Sequence, residues 1–180
     1  IEILRKLVET ATILKHPRTI EWSLKLTNHK EADSEDRLSY VRQCMLFGEN
    51  EKAIAWFEQG PLMKDASEEI TYLQCVSRAN REGQGKLEAF QIAKAYLDKN
   101  PDSQKIGDFL WDMCLQSEEL YLFNQGLEHL RKTALGEDNR ARQAMRRLLR
   151  IPSVPIEERK ALAINLWHSG EPTLTDAILC

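Results

Sequence analysis

The chain has 180 residues, of which 42% are hydrophobic and 29% are charged, and it contains only 8 glycines and 6 prolines. This composition is typical of a globular protein and excludes a disordered or loop-rich chain. Lys and Arg number 25 and Asp and Glu number 28, and the net charge of −3 leaves no overall basic field for nucleic acid or an anionic membrane. Apolar runs such as Leu162–Ile164 are far shorter than the roughly 18 residues of a membrane-spanning helix, so we expect no membrane insertion.

Helical periodicity begins at the first residue. Apolar side chains recur every three or four positions between Ile1 and Leu14, which predicts a first helix that ends before Pro17. A short second helix carries Ile20 and Leu24. Two more helices follow, and their boundaries are marked by an N-cap at Asp33–Ser34, a closing Gly48 and a terminating Pro61.

The same alternation of helices and breakers continues to the end of the chain. No stretch has the period-two alternation of a half-buried strand, so about eleven helices of roughly 10 to 17 residues are predicted, and the fold class is all-α. The predicted boundaries are an N-cap at Ser67, Gly83 and Gly85, Asn100–Pro101, a start at Asp102–Ser103, Gly136, a basic helix over 138–150, Pro155 in a first turn, Gly170 and a last fragment after Pro172.

Small and apolar residues recur at matching positions in the central helix pairs. The matching sets are Gly48, Ala53 and Phe57 in the first unit, Ala89, Ala93 and Asn100–Pro101 in the second, and Gly126 and Leu130 in the third. Ala53, Ala89 and Gly126 are separated by 36 and 37 residues. The pattern resembles the tetratricopeptide repeat (TPR), in which a small residue closes the turn, an alanine lets two helices approach and an aromatic side chain fills the next groove. The spacing is slightly longer than the family's period, so the repeats are degenerate.

The resemblance covers about residues 34–135, and the flanks 1–29 and 138–180 are predicted to form further helical hairpins. It implies one helical-repeat domain over 1–180, in which antiparallel hairpins stack as a right-handed superhelical solenoid with a concave groove. Because the sequence begins without Met and ends inside an apolar helical pattern, we expect it to be a fragment of a longer protein.

The resemblance also implies which residues line the groove, because TPR proteins use the second, sixth and ninth positions of the first helix of each pair. On this register the candidate partner-binding residues are Glu35, Ser39, Arg42, Thr71, Arg78, Asp108 and Asp112, with Cys75 and Leu115 at the remaining positions. Trp111 is added to them because it lies one residue before Asp112, toward the groove side. Chaperone-binding members place Lys, Asn and Arg there to clamp a carboxylate, and the acids and small residues of this chain predict no such clamp. Arg42 and Arg78 are either sites for an acidic or phosphorylated segment or solvated charges. Trp111 is the candidate hot spot.

A second candidate site is a ridge of arginines on the basic helix. Arg142, Arg146 and Arg150 are spaced by four residues and therefore share one side of the helix. They are a candidate site for phosphate or an acidic partner. The alternative is that arginines at the end of the helix, with Glu137 and Asp138 at its start, only complement the helix dipole. No aromatic platform accompanies the ridge, so specific nucleic-acid binding is not expected.

Metal binding and catalysis have no motif in this sequence. Cys44, Cys75, Cys114 and Cys180 form no Cys-x-x-Cys pair, so we expect buried free thiols in a reducing compartment, and hence a cytoplasmic location, with no metal site. There is no HExxH, phosphate-binding loop or nucleophile elbow, and we expect neither enzymatic activity nor a cofactor. A Cys–His pair assembled in space, such as Cys114 with His129, is the one catalytic arrangement left open.

The function expected from the resemblance is protein–protein interaction, as a scaffold or adaptor segment that presents its groove to a peptide or a partner helix. Two alternatives stay open. One is a structural spacer or oligomerisation arm that stacks through its terminal helices. The other is a phosphate- or RNA-binding helical repeat that uses the arginines of 140–150.

Overall fold

The fold is all-α. In the computed structural model, residues 1–59 and 67–169 are described, and they form ten α helices and no β strand. The eleventh helix predicted after Pro172 and the breakers at Pro61 and Gly170 lie outside the described residues. The helices are α1 Glu2–Ile13, α2 Thr19–Thr27, α3 Ser34–Leu46, α4 Asn50–Gln59, α5 Glu68–Ala79, α6 Gly85–Leu97, α7 Gln104–Leu115, α8 Leu120–Ala134, α9 Asn139–Leu149 and α10 Ile156–His168.

Side-chain caps start four of the described helices, at Asp33, Ser67, Ser103 and Asp138, and the first two were predicted as N-caps. The Asp33 carboxylate accepts from the Asp36 amide at 2.9 Å and the Asp36 carboxylate accepts from the Asp33 amide at 3.0 Å, which is a reciprocal capping box on α3. The Ser67 hydroxyl accepts from the Ile70 amide of α5, and Asp138 accepts from the third residue of α9. Each cap satisfies an amide that lacks a partner inside the helix.

The chain divides into two compact units, Ile1–Ile106 and Gly107–Cys180. In the first unit, helices that are neighbours in sequence pack on one another from α1 to α6, and α3 also contacts α5. In the second unit, α8 packs on α9 and α9 packs on α10.

The core of the first unit contains the residues of the repeat pattern. Ala53 and Phe57 have no exposed surface, and they belong to one cluster with Tyr40, Val41, Cys44, Ile70 and Leu73. Trp56 packs against this cluster, as predicted for a core residue. Gly48 follows α3 with a φ of 75°, a left-handed conformation that favours glycine at a helix end.

Close helix approach in the second unit depends on a small residue. A Cβ placed on Gly126 of α8 would lie 2.6 Å from the Cβ of Cys114, so a larger residue there would require a backbone shift. Gly126 occupies the small position of the third predicted repeat unit. Leu110, Leu122, Leu130 and Leu148 are buried in the same unit.

Candidate functional site

A cavity of about 440 Å³ lies between α1 and α3 in the first unit, and we call it the α1–α3 cavity. Two of the predicted groove residues, Glu35 and Ser39, line it. With Gln43 they are spaced by four residues, which places all three on one side of α3. The full lining is Arg5, Val8, Glu9, Thr12 and Ile13 of α1, Leu26 of α2, and Glu35, Asp36, Ser39 and Gln43 of α3.

Two polar residues of the cavity lining are buried, Asp36 and Gln43. Gln43 is 8% exposed, and no group of the described protein donates a hydrogen bond to its Oε1, an atom that is itself closed to solvent. Beside it, Val8 and Leu26 are buried apolar side chains. Buried acceptors in folded proteins almost always have a donor, so the Gln43 side-chain oxygen is an exception among the buried groups of α3.

An ion pair between α1 and α3 neutralises one acidic side chain of the cavity. Arg5 donates from Nε and Nη2 to the two carboxylate oxygens of Asp36 at 2.9 and 2.8 Å, and from Nη2 to Asp33 at 2.9 Å. The Arg5 guanidinium therefore holds the pKa of Asp36 below its usual range. In contrast, no ion pair joins Glu9 to any residue within 1–59 or 67–169.

Arg42 takes part in a series of ion pairs that runs from α3 to the start of α7. Its guanidinium pairs with Glu35 on one side and with Glu69 of α5 on the other, and Glu69 also pairs with Lys105. The hydrogen bond from Lys105 lowers the pKa of Glu69. The ammonium of Lys105 lies 4.4 Å from the ring centre of Tyr72. The one predicted groove cation of α3 is therefore already compensated by two carboxylates.

The predicted groove residues of α5 face the interior, which corrects the expected register of that helix. Thr71 is buried and its hydroxyl donates to the Ser67 carbonyl at 2.9 Å. The Cys75 thiol donates to the Ala89 carbonyl of α6, and burial raises the pKa of Cys75 to about 12. Cys75 therefore contacts α6, and neither Thr71 nor Cys75 lines the α1–α3 cavity.

Arg78 is nearly buried and pairs with carboxylates of α4 and α6. Its side chain is 11% exposed, and its guanidinium lies 3.7 Å from Glu58 of α4 and 3.6 Å from Glu88 of α6. Gly85 starts α6 so close to this helix that a Cβ on it would be 2.1 Å from the Arg78 carbonyl oxygen. Arg42 and Arg78 thus have no carboxylate partner in common among the described residues.

Trp111 is buried in the second unit and is not exposed to a partner, contrary to the hot-spot prediction. Its side chain has no exposed surface, and its indole nitrogen donates to His129 Nδ1 at 2.8 Å. The guanidinium carbons of Arg140 and Arg147 lie 4.3 and 5.1 Å from the centre of its ring. The indole is thus packed between α8 and α9 instead of facing solvent.

Burial raises the pKa of Cys114 to about 12, so its thiol is protonated and unsuited to a Cys–His pair with His129.

The two predicted acidic groove residues of α7 pair with arginines of α9. Asp108 lies 3.6 Å from both Arg140 and Arg147, and Asp112 also pairs with Arg147. Arg140 is 8% exposed, and its two terminal nitrogens make no hydrogen bond to the described protein. Burial lowers the pKa of Arg140. A Cβ on Gly107 would be 1.9 Å from one of these nitrogens, so the absence of a side chain there makes room for the guanidinium.

The predicted ridge residues lie on and just beyond α9. Arg142 and Arg146 are half-buried, and Arg150 is exposed at the C-cap. Arg142 Nη1 donates to the Glu137 carbonyl at 3.5 Å, at the start of the helix. The other two arginines of the helix, Arg140 and Arg147, contact Trp111 and the acids of α7 and do not belong to the ridge.

Sequence reasoning missed Arg5, Glu9 and Gln43. The spacing of four residues after Glu35 and Ser39 leads to Gln43, and this signal was available in the sequence. Arg5 and Glu9 belong to α1, which the repeat match did not cover, and only the packing of α1 brings them to α3.

No protein-family model matches the chain, and no curated protein or solved structure is similar to it at a significant level. Over the described ranges 1–59 and 67–169, no helix is long and apolar enough to cross a bilayer. In that same part of the chain, no three His, Cys, Asp or Glu side chains are grouped closely enough to hold a metal ion.

Proposed function

We propose that this chain is a protein–protein interaction segment, built of TPR-like hairpins stacked as a right-handed superhelical solenoid, that binds a peptide or partner helix. The observation that carries the proposal is the α1–α3 cavity, which is lined by Glu35 and Ser39 from the predicted groove register. Sequential packing from α1 to α6, with α3 also against α5, supports stacked hairpins in the first unit.

The ion pairs of the first unit locate the open part of this surface. Arg42 is compensated by Glu35 and Glu69, so it is poorly suited to hold a carboxylate or phosphate of a partner. The α1–α3 cavity lies next to this compensated arginine and is lined by two residues of the predicted groove, Glu35 and Ser39. The proposed partner site is therefore the α1 and α3 side of the first unit, and it does not include Arg78 or Trp111.

Peptide display on the 1–180 chain tests this proposal. A random-peptide phage library is panned against the immobilised protein, and the enriched peptides are measured in solution with wild type, Ser39→Arg and Ala55→Arg. Ser39 lines the cavity, whereas Ala55 is an exposed residue of α4 that does not. We expect Ser39→Arg to weaken binding at least about tenfold, which is ~1.4 kcal/mol, and Ala55→Arg to bind as wild type does.

The proposal fails if no peptide is enriched, or if folded Ser39→Arg binds the enriched peptides as tightly as Ala55→Arg does. Circular dichroism melting of both variants establishes that each is folded before binding is compared.

The exposed apolar side chains of α1 favour a second candidate function, a structural arm that stacks on another protein surface. Ile3, Ile13 and Leu14 are 87%, 75% and 70% exposed. Burying each would contribute about 1.5–3 kcal/mol to an association. Sedimentation velocity over a range of concentrations tests self-association, and replacing Ile3 and Leu14 by Lys should abolish it. A monomer at all concentrations would contradict stacking of this chain on itself.

A further inference from the structure

We propose that Ser153 is a phosphorylation site for a basophilic protein kinase, one that selects a serine with an arginine three residues before it. The inference goes beyond the proposed function and does not depend on the α1–α3 cavity, because Ser153 lies in the second unit, in the connection between α9 and α10. It follows from one juxtaposition: an exposed serine hydroxyl and an exposed arginine, neither of them paired with another described residue, occur in the same short connection.

The first argument concerns the sequence around the serine. Arg150 stands three residues before Ser153, and no other serine or threonine of the chain has an arginine at that distance. Kinases of this class bind the arginine through carboxylates, because a guanidinium offers paired donors to both oxygens of an acid. The spacing therefore distinguishes one hydroxyl of this chain from all the others.

The second argument concerns the hydroxyl itself, which has to be reached from solvent and must not be held by another group. Ser153 is exposed, and its hydroxyl makes no hydrogen bond to a described residue. The other described serines that lie outside the helices each hydrogen-bond the backbone, and they are Ser67, Ser103, Ser117 and Ser169. Ser153 is thus available as a nucleophile in a way that these four serines are not.

The third argument concerns the backbone that carries the serine. The Val154 amide donates to the Ile151 carbonyl at 3.1 Å, which closes a turn with Pro152 and Ser153 at its two central positions. Both central residues are exposed, so the serine stands at the tip of the turn. A kinase binds its substrate as an extended segment, and Val154 is the one residue of 150–155 that has to leave a buried site for this.

The fourth argument concerns Arg150, which is exposed at the C-cap of α9. No ion pair joins its guanidinium to a residue within 1–59 or 67–169. In contrast, Arg147 of the same helix is held by Asp108 and Asp112. Arg150 can therefore enter an acidic pocket of a kinase without losing an internal ion pair.

The reaction is a phosphoryl transfer from a nucleoside triphosphate. The Ser153 Oγ attacks the γ-phosphorus of ATP, a new Oγ–P bond forms, and the bond from that phosphorus to the β–γ bridging oxygen breaks. ADP leaves with the bridging oxygen, and the hydroxyl proton passes to an aspartate of the kinase. The product carries a phosphate of about −1.5 to −2 charges at neutral pH, close in sequence to Arg150.

Phosphorylation of the folded 1–180 chain by the catalytic subunit of cyclic-AMP-dependent protein kinase, with radiolabelled ATP, tests the proposal. We expect one phosphate per chain, located on Ser153 by mass spectrometry of proteolytic fragments. Ser153→Ala should abolish the incorporation. Ser34→Ala, at an exposed serine without an arginine three residues before it, should leave it unchanged. A phosphate on another residue, or none, would overturn the proposal.

A second pair of variants tests the recognition of the arginine. Arg150→Gln should lower kcat/KM for the protein substrate at least about tenfold, because it removes the guanidinium that the kinase binds. Arg18→Gln makes the same change at an exposed arginine that has no serine or threonine three residues after it, and it should react as wild type does. Arg150→Gln that is phosphorylated as fast as Arg18→Gln would contradict the assignment.

A synthetic peptide of residues 147–156 separates the local sequence from its presentation in the fold. The folded chain should reach at least about a tenth of the kcat/KM of the peptide, because Ser153 is exposed and one buried side chain holds the turn. A smaller fraction would show that the fold hides the serine, and the assignment would then be wrong. Circular dichroism melting establishes that the wild type and each variant are folded at the temperature of the assay.

Discussion

The guanidinium carbon of Arg140 lies 4.3 Å from the centre of the Trp111 ring, and the two residues are 8% and 0% exposed. A cation over an indole face is attracted by the ring quadrupole, and burial strengthens the attraction. Burial also has a cost, because the terminal nitrogens of Arg140 make no hydrogen bond within the described protein. The sequence assigned Trp111 to partner binding and Arg140 to the arginine-rich helix. In the structure the two residues contact each other inside the second unit.

We expect Arg140→Met to leave the free energy of unfolding within about 1 kcal/mol of wild type, because an apolar side chain avoids the cost of the buried charge. Asp108 keeps its contact with Arg147 in this variant. Urea unfolding measures the difference. Trp111→Ala is the contrasting variant and should lose about 3–5 kcal/mol. A loss of that size in Arg140→Met would show that the guanidinium itself holds the unit together.

Gly126→Ala should destabilise the protein by about 1–3 kcal/mol, because its new Cβ would overlap Cys114. The clash is with a Cβ at 2.6 Å, which cannot move without the backbone. Inside a helix, alanine is by itself more favourable than glycine by about 1 kcal/mol. A net loss of stability in Gly126→Ala would therefore report the clash with Cys114. Gly136→Ala is the control, since its nearest neighbour would be 3.4 Å away. Equal melting temperatures for the two variants would contradict the close approach of α7 and α8.

Gln43→Leu should leave the thermal midpoint unchanged or raise it. The substitution removes a buried acceptor that has no donor, and leaving such a group unsatisfied costs about 1–3 kcal/mol. Calorimetry or circular dichroism gives the midpoint. Phe57→Ala, which empties a fully buried position of the same unit, should by comparison lose about 3–5 kcal/mol. A marked loss of stability in Gln43→Leu would mean that the amide has a structural partner.

Stability should fall in acid partly through Asp36. Its pKa in the folded protein is lowered by Arg5, so its contribution is present above the unfolded pKa of about 3.9 and is lost as pH falls through the lower folded value. Asp36→Asn should therefore be less stable than wild type at pH 7, by about 1 kcal/mol from the capping box alone. The difference should shrink below about pH 4. A difference between the two urea midpoints that is constant from neutral pH into acid would contradict the ion pair.

The thiols of the described residues should be unreactive while the protein is folded. Cys44, Cys75 and Cys114 are free and buried, and burial raises the pKa of Cys75 and Cys114 to about 12. In a Cys180→Ser variant, we expect a thiol reagent to label no cysteine at mildly alkaline pH, and all three after unfolding in urea. Rapid labelling of one thiol in the native state would locate an opening in its helix pair.

Local signals in the sequence predicted the helices well. The caps at Asp33 and Ser67 and the closing Gly48 could be predicted because each acts within one helical turn. Pro155 was one position off, since it is the N-cap and α10 begins at Ile156. Ala53 and Phe57 were identified as buried because their spacing repeats along the chain.

The predicted groove was less accurate, because neighbouring positions on a helix point about 100° apart. An error of one position in register moves a side chain from an open surface into the core. Thr71 and Trp111 were both assigned to the groove, and both are buried. Glu35 and Ser39, on α3, do line a cavity.

The order, type and caps of the helices were encoded locally, in periodicity and in residues that act over three or four positions. The candidate site was not, because its parts come from distant segments. Arg5 meets Asp36 across 31 residues, and the cavity lined by Gln43 takes its other walls from α1 and from Leu26 of α2. Which buried polar groups find partners depends on helix rotation and contact between helices, and these are properties of the packed chain.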